Sequence, residues 1–163
     1  MKKGFTLIEL LIVIGILGIL AAGLLAAIDP LEQLKRGRDT QRRNIAVELN
    51  NALLRFYAVQ GSMPWGTGAQ AATNVASATG IINLLTGAGE LKTTFQQGMA
   101  NLGNSRPIYI IAETNSASVY TCFDPESRSI SSDPSTIYTD QATPPGTGAA
   151  CPNATGVCYF CVR

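Results

Sequence analysis

An apolar stretch near the N-terminus extends from Phe5 to Ile28 and has the sequence FTLIELLIVIGILGILAAGLLAAI. Its 24 residues contain a single charged side chain, Glu9. As a helix it would be about 36 Å long, enough to cross the hydrocarbon core of a bilayer. A helix of a water-soluble domain is seldom apolar on every side over this length. The stretch is therefore predicted to be a membrane-spanning helix.

Two features are unusual for an ordinary membrane anchor. The basic leader is only Met-Lys-Lys-Gly and ends at Gly4. Glu9 places a carboxylate inside the apolar helix, which costs about 2–3 kcal/mol at a helix centre and less near an end. Either this side chain reaches the headgroups, or it has a charged partner. Cleavage between Gly4 and Phe5 would supply a partner, because neighbouring helices would then carry an α-amine four residues before Glu9.

The ten residues from Lys2 to Leu11, KKGFTLIELL, resemble the class III leader and methylation motif of type IV pilins and type II secretion pseudopilins. The resemblance implies cleavage after Gly4 by a prepilin peptidase that also methylates the amine of Phe5. It implies that Glu9 is the carboxylate used for docking between identical or related subunits. It further implies a long N-terminal helix that carries a globular head, and two more partners, an assembly ATPase and a membrane platform protein.

Small residues in the apolar stretch have a spacing that suits close contact between helices. Gly18 and Ala22, Ala22 and Ala26, and Gly23 and Ala27 are each four positions apart. This spacing lets helix backbones approach each other in lipid. Because glycine and alanine are common in membrane helices, the pattern also fits a helix that packs on nothing.

A second helical segment is predicted from Leu31 to Gln60. Its start has two possible forms: Pro30 kinks one continuous helix, or Asp29 caps a new helix that begins at Pro30. Gly61 predicts its end. Apolar residues recur within it at steps of three and four and predict a stripe that packs on a head domain. They are Ile45, Ala46, Leu49, Ala52, Leu53 and Phe56.

The charges of this second segment have three interpretations. The first is a solvated helix face, supported by Asp39 and Arg43 at a four-residue spacing. The second is contact with anionic lipid or with neighbouring subunits. The third, DNA binding, is disfavoured because no aromatic residue or motif accompanies the cations. Counted alone, the cations after the apolar stretch would keep the C-terminal part in the cytoplasm, but the leader and the cysteines favour export of the head.

The remaining residues, 61–163, are predicted to form an α+β head with a small antiparallel sheet. Residues 61–80 are predicted to be a long loop anchored by Trp65. Short helices are expected at 81–85 and 90–99. Strands are expected at 107–113, 117–123 and 156–162, with a hairpin loop at 114–116 and a short strand at 136–138 within a proline-rich surface segment, 124–150.

Four cysteines lie in the head, at Cys122, Cys151, Cys158 and Cys161. An even number in an exported domain predicts two disulfides, for which three pairings are possible. The favoured pairing joins Cys122 to Cys161 across two strands and Cys151 to Cys158 in a local loop. A zinc site made of all four thiolates has the right number of ligands but is disfavoured in an oxidising compartment. A redox-active pair at Cys158 and Cys161 is also disfavoured.

Catalysis and cofactor binding have little support in the sequence. The chain of 163 residues has 12 basic and 11 acidic residues, so its net charge of +1 gives no reason to expect nucleic acid as a partner. It has no histidine, and neither a phosphate loop nor a nucleophile elbow occurs. A calcium site at Asp124, Glu126 and Asp133 lacks the EF-hand spacing. No enzyme activity, cofactor or metal is predicted.

The sequence therefore predicts four parts: a cleaved leader (1–4), a transmembrane and assembly helix (5–28), an amphipathic helix (29–60) and a globular head (61–163). The predicted function is a structural subunit of a type IV pilus-like filament, first anchored in the cytoplasmic membrane with the head outside. A type II secretion pseudopilin and a minor pilin are the nearest alternatives. Alternatives of other classes are a membrane-tethered binding domain that never polymerises and a soluble domain released by signal cleavage near Ile28.

Overall fold

The computed structural model describes residues 4–27, 29–102, 106–113, 118–133, 136 and 158–163. The chain divides into two compact units, Met1–Leu34 and Lys35–Arg163. The helices are α1 (Leu7–Ala27), α2 (Pro30–Gln60), α3 (Thr79–Gly87), α4 (Phe95–Asn101) and α5 (Arg128–Ser131), and the strands are β1 (Gln70–Asn74), β2 (Ile108–Ala112), β3 (Val119–Phe123) and β4 (Phe160–Val162). The predicted α+β class is confirmed.

Helix α1 is the apolar helix predicted from the sequence. Its segment Leu7–Leu25 is long and apolar enough to cross a membrane. At about 1.5 Å per residue these 19 residues extend for roughly 28 Å, close to the thickness of a bilayer core. Every side chain in this segment is exposed in the single chain. The helix therefore has no polar face to turn toward water and no part of its own unit to pack against.

Helix α2 begins as a separate, capped helix. The Asp29 Oδ1 atom accepts hydrogen bonds from the backbone N–H groups of Leu31 (3.1 Å) and Glu32 (3.2 Å). Pro30 occupies the first helical position, where no N–H donor is needed. Of the two predicted starts, the capped one is confirmed. At the other end Gly61 has a φ of 71° and donates its N–H to the Tyr57 carbonyl at 2.8 Å, an ending that favours glycine.

The four strands form one antiparallel sheet in the order β1-β2-β3-β4. Strands β2 and β3 confirm two predicted strands, and their register pairs Ile108 with Phe123 and Ala112 with Val119. The predicted hairpin loop at 114–116 lies outside the described residues. The third predicted strand is confirmed in part as β4, which pairs with β3; residues 156 and 157 lie outside the described part of the chain.

Strand alternation divides the side chains of the sheet between two buried clusters. The inner face contributes to the main core together with the stripe of α2, and Leu49 and Leu53 are fully buried there. The predicted stripe is thus confirmed, with Phe56 partly buried beside it. The outer face holds a smaller cluster around Ile111 and Tyr120. The two clusters are listed here: inner, Ile108, Ile110, Ala112, Val119, Phe123 and Phe160; outer, Ile111, Tyr120, Cys122 and Tyr159.

Strand β1 and helix α5 were not predicted. The loop predicted at 61–80 is wrong over Gln70–Asn74, which pairs with β2 as an edge strand. Its sequence, Gln-Ala-Ala-Thr-Asn, has low strand propensity, so pairing with β2 rather than local preference makes it a strand. Helix α3 confirms a predicted helix, while α4 begins later than predicted, at Phe95. The predicted strand at 136–138 lies outside the described residues apart from Thr136, which is in no strand.

A disulfide joins Cys122 of β3 to Cys161 of β4. The two residues are directly opposite in the register of these strands, and both lie in the outer cluster. This predicted pairing is confirmed, and the zinc interpretation is wrong because two of its four thiolates are bonded to each other. Cys158 is also disulfide-bonded. Its predicted partner, Cys151, lies outside the described residues.

Replacing Cys122 and Cys161 together by serine should lower the free energy of unfolding of the head by about 2–4 kcal/mol. The bond closes a loop with a sequence separation of 39, for which loop entropy alone gives roughly 4 kcal/mol. Urea unfolding of the oxidised parent and of the double variant measures the difference. A loss below about 1 kcal/mol would show that β4 is held by packing and backbone hydrogen bonds alone.

Candidate functional site

The predicted assembly residues lie at the N-terminal end of α1. Thr6 precedes the first helical residue, and its side chain and Glu9 bond reciprocally. The Glu9 Oε2 atom accepts the Thr6 backbone N–H at 2.8 Å and the Thr6 hydroxyl at 2.7 Å. In return, the Thr6 Oγ1 atom accepts the backbone N–H of Glu9 at 3.4 Å. This arrangement is a capping box.

The capping box explains how a single chain tolerates Glu9. The carboxylate satisfies donors at the start of the helix, where the helix dipole also favours a negative charge. The sequence contained the signal, since Thr-x-x-Glu before an apolar run is a capping-box pattern. The sequence analysis did not use it and considered only lipid headgroups or the Phe5 amine as partners of Glu9.

Gly4 and Phe5 precede the capping box. Both are exposed, and the Phe5 side chain is 86 % accessible. The described contacts of the Glu9 carboxylate are with Thr6 and not with Phe5. Pairing between Glu9 of one chain and the amine of Phe5 of another therefore stays a prediction.

The small residues of α1 lie on an open surface. A side-chain carbon added at Gly15, Gly18 or Gly23 would meet no atom within 4 Å in the single chain. These glycines are therefore not required for packing within their own chain. Their surface is accessible to a second helix, for which close approach of backbones would be favourable.

A second polar site lies in the head, where α2 meets the segment after β3. Asp39 is fully buried. Its carboxylate accepts the backbone N–H of Glu126 at 3.0 and 2.9 Å and that of Ser127 at 2.7 Å. Arg42, also buried, donates to the Asp39 Oδ1 atom at 3.1 Å. Asp39 thus binds the chain as it leaves β3 directly to α2.

Glu126 completes this group, which we call the Asp39 cluster (Asp39, Arg42, Glu126 and Arg38). Arg42 Nη2 lies 2.7 Å from Glu126 Oε1, and Arg38 Nη2 lies 2.6 Å from Glu126 Oε2. The Arg42 Nε atom is buried without a hydrogen-bond partner. Because a buried charge that loses its partner costs about 3–5 kcal/mol, the cluster fixes this segment on α2.

The Asp39 cluster corrects the prediction of a solvated face with Asp39 supported by Arg43. Asp39 pairs with Arg42, three residues away, and both are buried. The guanidinium of Arg43 lies 5.1 Å from the centre of the Phe160 ring instead. The pairing was missed because one turn of helix with alternating charges normally faces solvent, and only the fold brings Glu126 beside it.

The same contacts remove the acidic side chains considered for calcium. Glu126 binds two arginines of α2, and Asp124 forms an ion pair with Arg106. Within the described part of the chain, no group of three or more Asp, Glu, Cys or His side chains could hold a metal ion. The calcium interpretation is therefore wrong for Asp124 and Glu126.

The two carboxyl groups differ in the direction of their pKa shifts. Burial raises the pKa of Glu126, but hydrogen bonds from Arg38 and Arg42 outweigh it and hold the pKa below its ordinary value. For Asp124, burial is the larger effect and raises the pKa above its ordinary value, although Arg106 opposes it. Acid therefore weakens the contribution of Glu126 to stability and strengthens that of Asp124.

The Glu126→Gln variant should show a weaker loss of stability in acid than the parent protein. The lowered folded pKa of Glu126 means that its stabilisation is present above the unfolded value, about 4.3, and is lost as pH falls through the folded value. The opposite contribution of Asp124 is common to both proteins and cancels in the difference. Urea unfolding between about pH 6 and pH 3 measures both slopes.

The matched control for this experiment is Glu48→Gln, since Glu48 is an exposed carboxylate on α2. It should leave the pH dependence of unfolding unchanged. If Glu126→Gln and the parent lost stability in parallel as pH fell, the Asp39 cluster would not carry the acid sensitivity.

A single-helix membrane anchor with a capped N-terminal carboxylate, followed by an α+β head, defines the class of this protein. Residues 1–25 match the family model of the prokaryotic N-terminal methylation motif. By this motif the chain belongs to the type IV pilin and pseudopilin family, and the resemblance seen in the sequence is confirmed. Comparisons with curated proteins and with solved structures gave no match. The family is one of structural, pilin-type proteins, whose members assemble with related subunits after processing by a peptidase.

Proposed function

We propose that this protein is a structural subunit of a type IV pilus-like filament, cleaved after Gly4 and assembled through its N-terminal helix. The match of residues 1–25 to the methylation motif carries the proposal. It is supported by α1, whose side chains from Leu7 to Leu25 are all exposed and apolar except for Glu9. Such a surface is stable in lipid or against other helices of the same kind, but not in water.

In the proposed assembly, cleavage changes the chemistry at the start of α1. Before cleavage, residue 5 contributes an amide and Glu9 is satisfied by Thr6 alone. After cleavage, Phe5 carries an ammonium group, methylated or not, which is a stronger partner for a carboxylate. In a helix bundle of low dielectric constant an unpaired charge costs about 3–5 kcal/mol. Pairing Phe5 of one subunit with Glu9 of the next therefore selects one axial register.

The proposed location before assembly is the cytoplasmic membrane, with the head on the outer side. The disulfides of the head support this orientation, because oxidised cysteines persist outside the cytoplasm. The filament would then be extracellular, or periplasmic if it is a pseudopilus. The proposed partners are a prepilin peptidase, an assembly ATPase and a membrane platform protein. The sequence has no phosphate loop, so the work of extracting α1 from lipid falls to the ATPase.

A type II secretion pseudopilin or a minor pilin remains the nearest alternative, because all of these proteins share the same N-terminal chemistry. A tethered binding domain that never polymerises is the alternative from another class. Sheared surface filaments distinguish them by the amount of this chain that they contain. A major pilin is the bulk of such a preparation, a minor pilin is a trace component, and a tethered domain is absent.

The mature chain isolated from its native membrane should begin at Phe5 and carry one N-methyl group. Intact-mass and N-terminal analysis measures both changes. The expected mass lacks Met1 to Gly4 and includes one added methyl. A functional chain that retains Met1, or one that begins near Ile28, would contradict the proposal.

Glu9→Gln should abolish or strongly reduce incorporation into filaments while leaving cleavage after Gly4 intact. Glutamine keeps a hydrogen-bond acceptor for Thr6 but removes the charge that attracts the Phe5 ammonium. Immunoblots of sheared filaments and of the membrane fraction measure incorporation and processing separately. Glu48→Gln is the matched control on α2 and should assemble normally. Normal assembly of Glu9→Gln would refute the role of charge pairing.

A further inference from the structure

A small pocket opens in the head at the C-terminal end of α2. Its volume is about 190 Å³, and its walls include Tyr57 of α2, Trp65 of the following loop and Glu113 after β2. The hydroxyls of Ser62 and Thr67 also line it. Pockets for drug-sized molecules have volumes of about 300–1,000 Å³. This pocket therefore suits a small chemical group rather than a large ligand.

The position of the pocket follows from the fold. Gln70 pairs with Ala112 across β1 and β2, so the loop that enters β1 passes beside Glu113. The same loop contains a tight turn, in which the Gly66 N–H donates to the Met63 carbonyl at 2.9 Å. Gly66 has a φ of 92°, and a side-chain carbon placed there would meet no atom within 4 Å. The turn leaves the mouth of the pocket open.

The chemistry of the walls favours a cation. None of the described lining residues is Lys or Arg, and Glu113 forms no ion pair within the described part of the chain. The two aromatic rings present negative faces, which attract organic cations. One carboxylate is too few for Ca²⁺ or Mg²⁺, which need about six or more oxygen ligands.

We propose that this pocket binds an organic ammonium group, with Tyr57 and Trp65 as aromatic walls and Glu113 as the counter-ion. The ammonium is that of a quaternary amine such as choline or of a lysine side chain, since both present the same charge to the same walls. The pocket is separate from the N-terminal assembly site and from the Asp39 cluster. Tyr57 lies 18 positions beyond Asp39 on α2, which is roughly 27 Å along the helix.

Trp65 allows a direct test because it is the only tryptophan of the chain. The full-length protein, held in micelles of a polyoxyethylene detergent that has no ammonium group, is titrated with choline while tryptophan fluorescence is recorded. The expected result is a saturable change with a Kd of about 1–10 mM. Titration with Nα-acetyl-lysinamide then distinguishes a primary from a quaternary ammonium as the preferred ligand.

Two controls separate charge recognition from simple filling of the pocket. The neutral isostere of choline, 3,3-dimethylbutan-1-ol, should bind at least about fivefold more weakly. Glu113→Gln should weaken choline binding by about three- to fivefold, the range for an exposed ion pair, whereas Glu48→Gln should not change it. Because Glu113 is exposed, its variant should fold like the parent, and circular dichroism checks this.

Three results would overturn the proposal. The first is the absence of a saturable change with either ammonium compound up to about 50 mM, well above the expected Kd. The second is equal binding of choline and its neutral isostere. The third is a response to glucose and not to choline, which would make the pocket a sugar site. None of these results bears on cleavage after Gly4 or on filament assembly.

Discussion

The head depends on the burial of one stripe of α2 against the inner face of the sheet. Leu49 and Leu53 bring α2 into contact with residues of β2, β3 and β4, and all of these side chains leave water together. Between them lies Asn50, whose Nδ2 atom donates to the carbonyls of Val119 (3.0 Å) and Val162 (3.2 Å). Apolar burial alone would allow α2 to slide along the sheet. A buried amide that would lose its acceptors on sliding, at about 1–3 kcal/mol, fixes one position. The C-terminal strand β4 is thereby held by α2 as well as by the disulfide.

The two N-terminal helices show how the same helical period is used for different surroundings. α2 has one apolar stripe, and its Asp39 cluster returns the chain after β3 to the same helix, so its interactions are satisfied within the head. α1 has no such division. Its residues from Leu7 to Leu25 are apolar around the whole circumference and are exposed, and its glycines face open space. The sequence of α1 therefore provides for contacts outside the single chain, with lipid or with other helices, whereas the sequence of α2 provides for contacts inside it.

Local periodicity carried much of the fold in the sequence. The stripe of α2, the strands β2 and β3 and the pairing of Cys122 with Cys161 were predictable because spacing and strand alternation depend on neighbours in the chain. Strand β1 was not, since an edge strand of Gln, Ala, Thr and Asn is defined by its partner β2. The burial of Asp39 and Arg42 was not either, because their partner Glu126 is distant in sequence. The pocket beside Trp65 depends on the register of β1 with β2, which no sequence pattern fixed.

The capping box gives the proposed assembly a defined starting state. A carboxylate in a lipid-exposed helix is costly unless donors satisfy it, and Thr6 supplies two donors at 2.8 and 2.7 Å. Both are neutral groups, so the precursor is stable in the membrane without a strong partner for Glu9. An ammonium on a neighbouring chain is a better partner, because a charge-assisted hydrogen bond is roughly twice as strong as a neutral one and lipid screens charges poorly. Exchange of Thr6 for Phe5 as the partner of Glu9 is therefore favourable only after the bond between Gly4 and Phe5 is cut. In this scheme the peptidase controls assembly by creating a charge, and the helix itself need not change shape.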